Sequence, residues 1–376
     1  MRPAGQRRSV RRRDVRIVAG GCHVGRELAL TRISAGRAAL ADAIMSALRP
    51  SEAPVPSVAT ATSPAVVVAL HFLDLVAAAG GPHRTDLATF DAWLRHCQQL
   101  VAGGELDVLA LRARAVALGL LEATTLQGRA FRKPRGYAGD FEMIDLIYRR
   151  ASCPDARLTR WDDAWQAHGA AQAVRNRKSY FLALLDRLVA RHGPGAEPEV
   201  LDIASGPARD VAEHLVERPA SRCRFTCLDL DADAITFARA LIATTGAAER
   251  VQFVHGNALR WQTGQRFDLV WSAGLFDYLP DRLFVRLLER LWQRVRPDGE
   301  LVIGNFDPAN PSRPYMELLG DWHLIHRTRD QLLDLAGEAG LPMASLSVGS
   351  EPLGINLFLH ARRPSEGAWV SEAVGG

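Results

Sequence analysis

Val200-Leu-Asp-Ile-Ala-Ser-Gly-Pro-Ala-Arg-Asp210 decides the fold. An apolar run holding one acid breaks into a turn of small residues and resumes as a helix, which makes it the first strand, loop and helix of a nucleotide-binding α/β domain. About 20 residues on, Phe225-Thr-Cys-Leu-Asp-Leu-Asp231 is a second strand ending in acids, the spacing at which such domains set a carboxylate on ribose hydroxyls. A third strand, Val251-Gln-Phe-Val-His255, runs into Gly256-Asn257-Ala258, and a fourth, Phe267-Asp-Leu-Val-Trp271, opens onto Ser272-Ala-Gly-Leu-Phe-Asp-Tyr278. A lone Asp at a strand end is more often a helix cap or turn acid than a ligand. Four such units in chain order turn the argument toward the ligand.

The C-terminal part continues the pattern. Arg296-Pro-Asp-Gly299 reads as a turn into a fifth strand, Glu300-Leu-Val-Ile-Gly-Asn305. An amphipathic helix from Thr328 to Gly340 precedes Ala344-Ser-Leu-Ser-Val348 and Ile355-Asn-Leu-Phe-Leu-His360, two strands that suit an antiparallel hairpin at a sheet edge.

These motifs resemble those of the class I methyltransferases over about residues 198–362. The resemblance implies a Rossmann-like seven-stranded α/β sheet and S-adenosylmethionine as cofactor. It implies that Asp202 and the loop holding Ala204 and Gly206 lie along the methionine part, that Asp229 takes the ribose hydroxyls with Leu230 beside it, and that Asn257 and Ala258 face the adenine. Ser272 joins this cofactor set from the end of the fourth strand. Ala204 and Ala208 stand where glycine is common, which argues mildly against a dinucleotide, whose phosphates would have to approach the main chain.

Composition frames the rest. The chain has 376 residues, 48% hydrophobic and 23% charged, enough for one large core and a helical annex. No uncharged apolar run of about 18 residues occurs, so no transmembrane segment is expected; Ala65–Gly80 is interrupted by His71 and Asp74 and reads as a buried helix. Five scattered cysteines make no disulfide framework and no metal site is expected, since Cys223 and Cys227 have no histidine beside them. A reducing cytoplasm is the expected compartment. The net charge of +4 is local: Arg2, Arg7, Arg8, Arg11, Arg12, Arg13 and Arg16 face only Asp14 in the first 16 residues. Such an arm could bind RNA or an anionic surface, but it lacks apolar periodicity and reads as a disordered tail, so no nucleic-acid partner is expected.

The expected organisation is a basic tail at 1–27, an all-helical domain at 28–130 with a Pro/Ser-rich link at 50–64, a lid loop with connecting helices at 131–197, the sheet domain at 198–362 and a frayed end at 363–376. Leu87, Phe90, Leu94, Cys97 and Val101 follow helical steps, and Leu106, Leu109, Val116, Leu120 and Leu121 do so less cleanly. Phe131-Arg-Lys-Pro-Arg-Gly-Tyr-Ala-Gly-Asp-Phe-Glu-Met143 makes a poor helix and a poor strand; it reads as an ordered loop closing over ligands, with Asp140 capping the next helix.

That loop, with Asn305-Phe-Asp-Pro-Ala-Asn-Pro-Ser-Arg-Pro-Tyr-Met316 and Asp321-Trp-His-Leu-Ile-His-Arg327, resembles the bacterial methyltransferases that make 3-hydroxy fatty acid methyl ester quorum-sensing signals. The resemblance implies carboxyl O-methylation of a lipid acid. A carboxylate needs no general base, only a clamp of cations or hydrogen-bond donors and an apolar channel. Arg132, Arg135, Tyr137, Arg313, Tyr315 and Arg327 are the clamp candidates, any one of the arginines being equally able to hold the carboxylate of the cofactor. Tyr137, Asp277 and Tyr278 are the candidates for chemistry, Asp277 or Tyr278 as base if the acceptor is a hydroxyl or amine. His323 and His326 read more readily as packing or surface residues. Methylation of another natural product, and a noncatalytic cofactor-binding or interaction protein, are the competing readings; a homo-oligomer is left open.

Overall fold

The computed structural model describes residues 63–365, so the basic tail, the first stretch of the expected helical domain (28–49), nearly all of the Pro/Ser-rich link and most of the C-terminal end lie outside the described residues. The core is a seven-stranded sheet of order β3-β2-β1-β4-β5-β7-β6. Its strands are β1 (Glu199–Ile203), β2 (Arg224–Asp229), β3 (Val251–His255), β4 (Phe267–Ser272), β5 (Val295–Phe306), β6 (Leu346–Ser350) and β7 (Asn356–Arg362). β1 to β5 run parallel and β7 is antiparallel to both β5 and β6. The expected seven-stranded arrangement is therefore present, with the hairpin at the edge.

A sheet of buried parallel strands needs helices on both faces, and strand alternation assigns each residue to one of them. Val200, Leu269, Trp271, Val302 and Phe358 meet α7 (Gly169–His192), α8 (Arg209–Glu217) and α9 (Ala232–Ala243). Leu201, Val270, Leu301, Ile303 and Leu359 meet α10 (Asp281–Trp292) and α12 (Arg329–Glu338). On α10, Phe284, Leu287, Leu288 and Leu291 are all buried, each contributing about 1.5–3 kcal/mol. Thr328 and Gln331 form a capping box that starts α12, and Gly340 follows its end in the left-handed region at φ 76°.

The segment Arg296–Gly299 differs from the expected free turn: it lies within β5, where the register against β4 shifts and Asp298 takes φ 61°. A bulge accommodates Pro297 because its missing N–H is then not needed by the ladder.

The helical layer comprises α1 (Pro64–Ala78), α2 (Leu87–Ala102), α3 (Val108–Ala117), α4 (Leu126–Arg132), α5 (Phe141–Tyr148) and α6 (Thr159–Ala167). Phe90, Leu94 and Cys97 are buried as the helical spacing requires, whereas Leu109 and Val116 face outward and Leu111 and Ala115 fill the core instead. The helix read as buried, α1, hides only Val66, Ala69 and Leu73 and exposes Val67, Val68 and Leu75. This layer shares one apolar cluster with Phe306, Ile355, Trp322 and Tyr315, the last on α11 (Arg313–Leu318). Residues that follow β5 thus complete the helical core.

Candidate active site

Three residues of the β1–α8 loop, Ala204 (φ 56°), Gly206 (φ 54°) and Ala208 (φ 47°), adopt the left-handed conformation that favours glycine. The two alanines keep the glycine geometry despite their Cβ atoms. The loop is held by Asp229, whose Oδ2 accepts the Gly206 N–H at 2.8 Å and whose Oδ1 accepts the Asp231 N–H at 2.9 Å. Burial still pushes the Asp229 carboxyl up from its ordinary range. Leu230 is exposed beside it, and its carbonyl meets His255 Nε2. Asn257 Oδ1 accepts the Leu259 N–H, leaving its amide nitrogen for other partners, and Ala258 is half-buried next to it.

The residues implied for S-adenosylmethionine fit it on a physical test. Asp202 Oδ2 and Ser205 Oγ are buried with no hydrogen-bond partner among the described residues, at the end of β1 where the amino-acid part of the cofactor is expected. Burial, with Asp210 and Asp229 close by, pushes the Asp202 carboxyl well up although the Arg177 guanidinium opposes the rise, so the corner suits a ligand group that donates hydrogen bonds. Asp210 is pushed up to about 6 by the same burial. Ser272 differs from the reading as a cofactor contact: it is fully buried, and its hydroxyl donates to the Ile203 carbonyl at 3.0 Å, tying β4 to β1.

The loop between α4 and α5 closes over this region. Asp140 caps α5 by accepting the Met143 N–H at 2.8 Å, and Arg129 holds its carboxylate from the other side. Arg135 lies over the Phe141 ring at 4.4 Å and pairs with Glu142 (2.5 Å) and Asp233 (2.7 Å), joining the loop to the N-terminus of α9. The ring edge of Tyr137 meets Tyr278 at 6.3 Å between centroids. Gly139 packs so closely that a Cβ there would sit 2.5 Å from Tyr278 Oη and 2.7 Å from Trp322 Cζ2. Burial raises both phenols, Tyr137 and Tyr278, above the ordinary tyrosine range, which opposes their use as bases.

The remaining clamp candidates are engaged elsewhere. Arg327 is buried, pairs with Asp281 at 2.7 Å and donates to the carbonyls of Phe276 and Leu279 and to Asn305 Oδ1. It is a structural cation beneath the loop after β4. Arg132 donates to the Leu121 carbonyl at 2.7 Å and Arg313 pairs with Glu317 one helical turn on. Tyr315 is buried in the helical core, donating to Gln127 Oε1 at 2.5 Å. Asp277 is buried in the short turn Phe276–Tyr278 that follows β4, accepts the Phe306 N–H at 2.7 Å and is pushed up to about 7 by burial.

Arg177 was not among the expected residues. It is 6% exposed on α7, and Nε to Tyr148 Oη at 3.5 Å is its single hydrogen bond among the described residues. Its signal is legible in retrospect: Ala170, Ala173, Val174, Arg177, Phe181, Leu184 and Leu188 form one buried stripe, with a cation in the middle. Burial opposes its charge, but Tyr148, Asp277 and Asp210 outweigh it and hold the guanidinium ionised. Three residues back along α7, Val174 lines a narrow apolar cavity of about 20 Å³ with Ile147, Trp165, Phe306 and Trp322. Among the described residues no group of three or more His, Cys, Asp or Glu side chains could hold a metal ion, and no helix is long and apolar enough to cross a membrane.

Comparison with known proteins agrees with this geometry. Residues 200–299 match the family described as a methyltransferase domain. Trans-aconitate 2-methyltransferase from Deinococcus radiodurans is 32% identical over 133 residues, 29% of this chain and 48% of that protein. The chain thus spans about half the length of the curated relative it matches. The crystal structure of a possible exported protein from Bordetella parapertussis superposes with a TM-score of 0.56 at 22% identity, covering 81% of this chain and 100% of that one. That likeness is one of fold. The strand order, the loop after β1 and the family match together give this chain a methyltransferase-like Rossmann fold, with residues 200–299 similar to a methyltransferase domain.

Proposed function

We propose that the protein transfers a methyl group from S-adenosylmethionine to a carboxylate oxygen of a small or lipid acid, a 3-hydroxy fatty acid being the acceptor the sequence resemblance favours. The observation that carries the methyl-transfer reading is the corner of Asp202, Ser205 and Asp229: a buried, unpartnered carboxylate oxygen and hydroxyl beside a second carboxylate fixed by two backbone N–H groups. The cofactor, when bound, supplies an electrophilic methyl group on a sulfonium.

The residues of this chain bind, orient and exclude water. Asp229 and Asn257 serve the nucleoside end, and Asp202 and Ser205 the amino-acid end. The 133–139 loop covers both through Arg135, Tyr137 and Gly139, and a dry, fixed geometry is the main requirement of an in-line displacement. A carboxylate acceptor suits this site because neither Tyr137 nor Tyr278 is disposed to take a proton. The name of the Deinococcus radiodurans relative supports the same class, since trans-aconitate is a carboxylic acid. Incubation with methyl-labelled cofactor and a panel of saturated, 3-hydroxy and tricarboxylic acids should give base-labile methyl esters by mass spectrometry.

A second reading rests on Asp277, whose carboxyl lies near 7 and could accept a proton from a hydroxyl or amine. Base-stable labelled product would establish it. Cofactor binding with no demethylated product from any acceptor would make the protein a noncatalytic binder.

A further inference from the structure

We infer that Arg177 is the anchor for a ligand carboxylate, a role that rests on the methyl-transfer reading and sharpens it. A guanidinium carries five N–H donors in a planar fork that matches a carboxylate by two parallel bonds. Here one donor meets Tyr148, and Arg177 takes part in none of the ion pairs among the described residues. The other candidate arginines, Arg132, Arg135, Arg313 and Arg327, already hold carbonyls or carboxylates.

The fork is aimed by its surroundings. A side chain at Gly274 would begin 3.0 Å from Arg177 Nη1 and 3.5 Å from Nη2, so the absent Cβ is what lets the guanidinium lie against the carboxyl end of β4. Ligands bind at that end of the strands in open α/β folds. Tyr148 from α5, Asp277 after β4 and Asp210 from α8 favour the charged form of the cation, yet neither acid forms an ion pair with it. The apolar cavity is lined by Val174 and Ala171, one and nearly two turns back along the same helix face. A carboxylate on Arg177 would therefore have apolar wall beside it on one side and the β1 loop on the other.

Two carboxylates can answer: that of the acceptor and that of the cofactor's methionine end. Calorimetry on the full chain separates them, with S-adenosylhomocysteine against 5′-methylthioadenosine, which lacks the amino-acid end, and octanoate against octanamide, its uncharged analogue. The wild type should prefer one charged member of these pairs by roughly tenfold or more. Arg177→Gln should erase that preference and Arg177→Lys should weaken it, because an ammonium lacks the fork. Loss for S-adenosylhomocysteine alone assigns the arginine to the cofactor; loss for octanoate alone assigns it to the acceptor. A wild type without either preference, or variants that bind all four probes as the wild type does, would overturn the inference. Near-ultraviolet circular dichroism checks the fold of the variants, and the wild-type comparison stands without them. Failure to methylate any acid would sink the proposed reaction while leaving these binding differences intact.

Discussion

The indole N–H of Trp322 donates to the phenolic oxygen of Tyr278 at 2.8 Å, coupling the segment after α11 to the loop after β4. Because Tyr278 accepts this bond, its own O–H remains available as a donor, and Gly139 presses on the pair from the loop above. Tyr278→Phe should lower kcat/KM for the acceptor by about 2- to 10-fold, the worth of one neutral hydrogen bond, with cofactor affinity unchanged. Gly139→Ala should cost more, since its Cβ would displace the phenol. Steady-state kinetics with calorimetric cofactor binding decides both.

Asp229→Ala removes a carboxylate that shapes the Gly206 turn and, in the proposed function, holds the ribose. Each lost charged hydrogen bond is worth roughly 1.5–3 kcal/mol. The dissociation constant of S-adenosylhomocysteine should rise by roughly 10- to 100-fold, and unchanged calorimetric affinity would refute the ribose assignment.

Asp277 separates the two acceptor classes by pH. With its carboxyl near 7, a base mechanism requires kcat/KM to fall as pH drops below about 7 and Asp277→Asn to abolish activity. A carboxylate acceptor predicts a flat profile from pH 6 to 8 and an active Asp277→Asn protein.

Asp162 makes a stability prediction. It is buried, accepts the Leu126 and Cys153 N–H groups, and is raised by burial to about 6. A raised acid binds its proton more tightly folded than unfolded, so its contribution is present below the unfolded pKa of about 4 and is lost as pH rises toward 6. The span amounts to about 3 kcal/mol. Urea denaturation across pH 4 to 7 should show this falling slope, and Asp162→Asn should flatten it.

Arg327→Met should unfold the region after β4 rather than alter acceptor choice. Removing a buried cation that serves the exposed Asp281 and three buried acceptors leaves those acceptors unsatisfied at a cost of about 1–3 kcal/mol each. A folded variant with normal melting and altered acceptor selectivity would contradict the structural role.

The sheet was readable because each strand carries its own signal: an apolar run, a terminal acid and a small-residue turn. Asp140 was readable for the same reason, since a cap is a local device. Arg327 and Arg177 were not, because the roles of arginines are set by partners distant in sequence. Arg327 meets Asp281, 46 residues earlier. Arg177 stands in an apolar stripe whose period alone betrays it. The roles of Leu109 and Leu111 in α3 were exchanged for a related reason: both suit a helical pattern, and only the packing partner settles which one turns inward.

The joint cluster of Phe306, Tyr315 and Trp322 with the layer of α1 to α6 bears on how this protein can be divided. A fragment cut to residues 198–362 would lay bare the apolar faces of these three side chains, together with Ile355. It should precipitate or associate on its own and recover solubility when residues 63–197 are supplied in trans. A change in this shared core must therefore be matched in two stretches of chain that lie far apart in sequence.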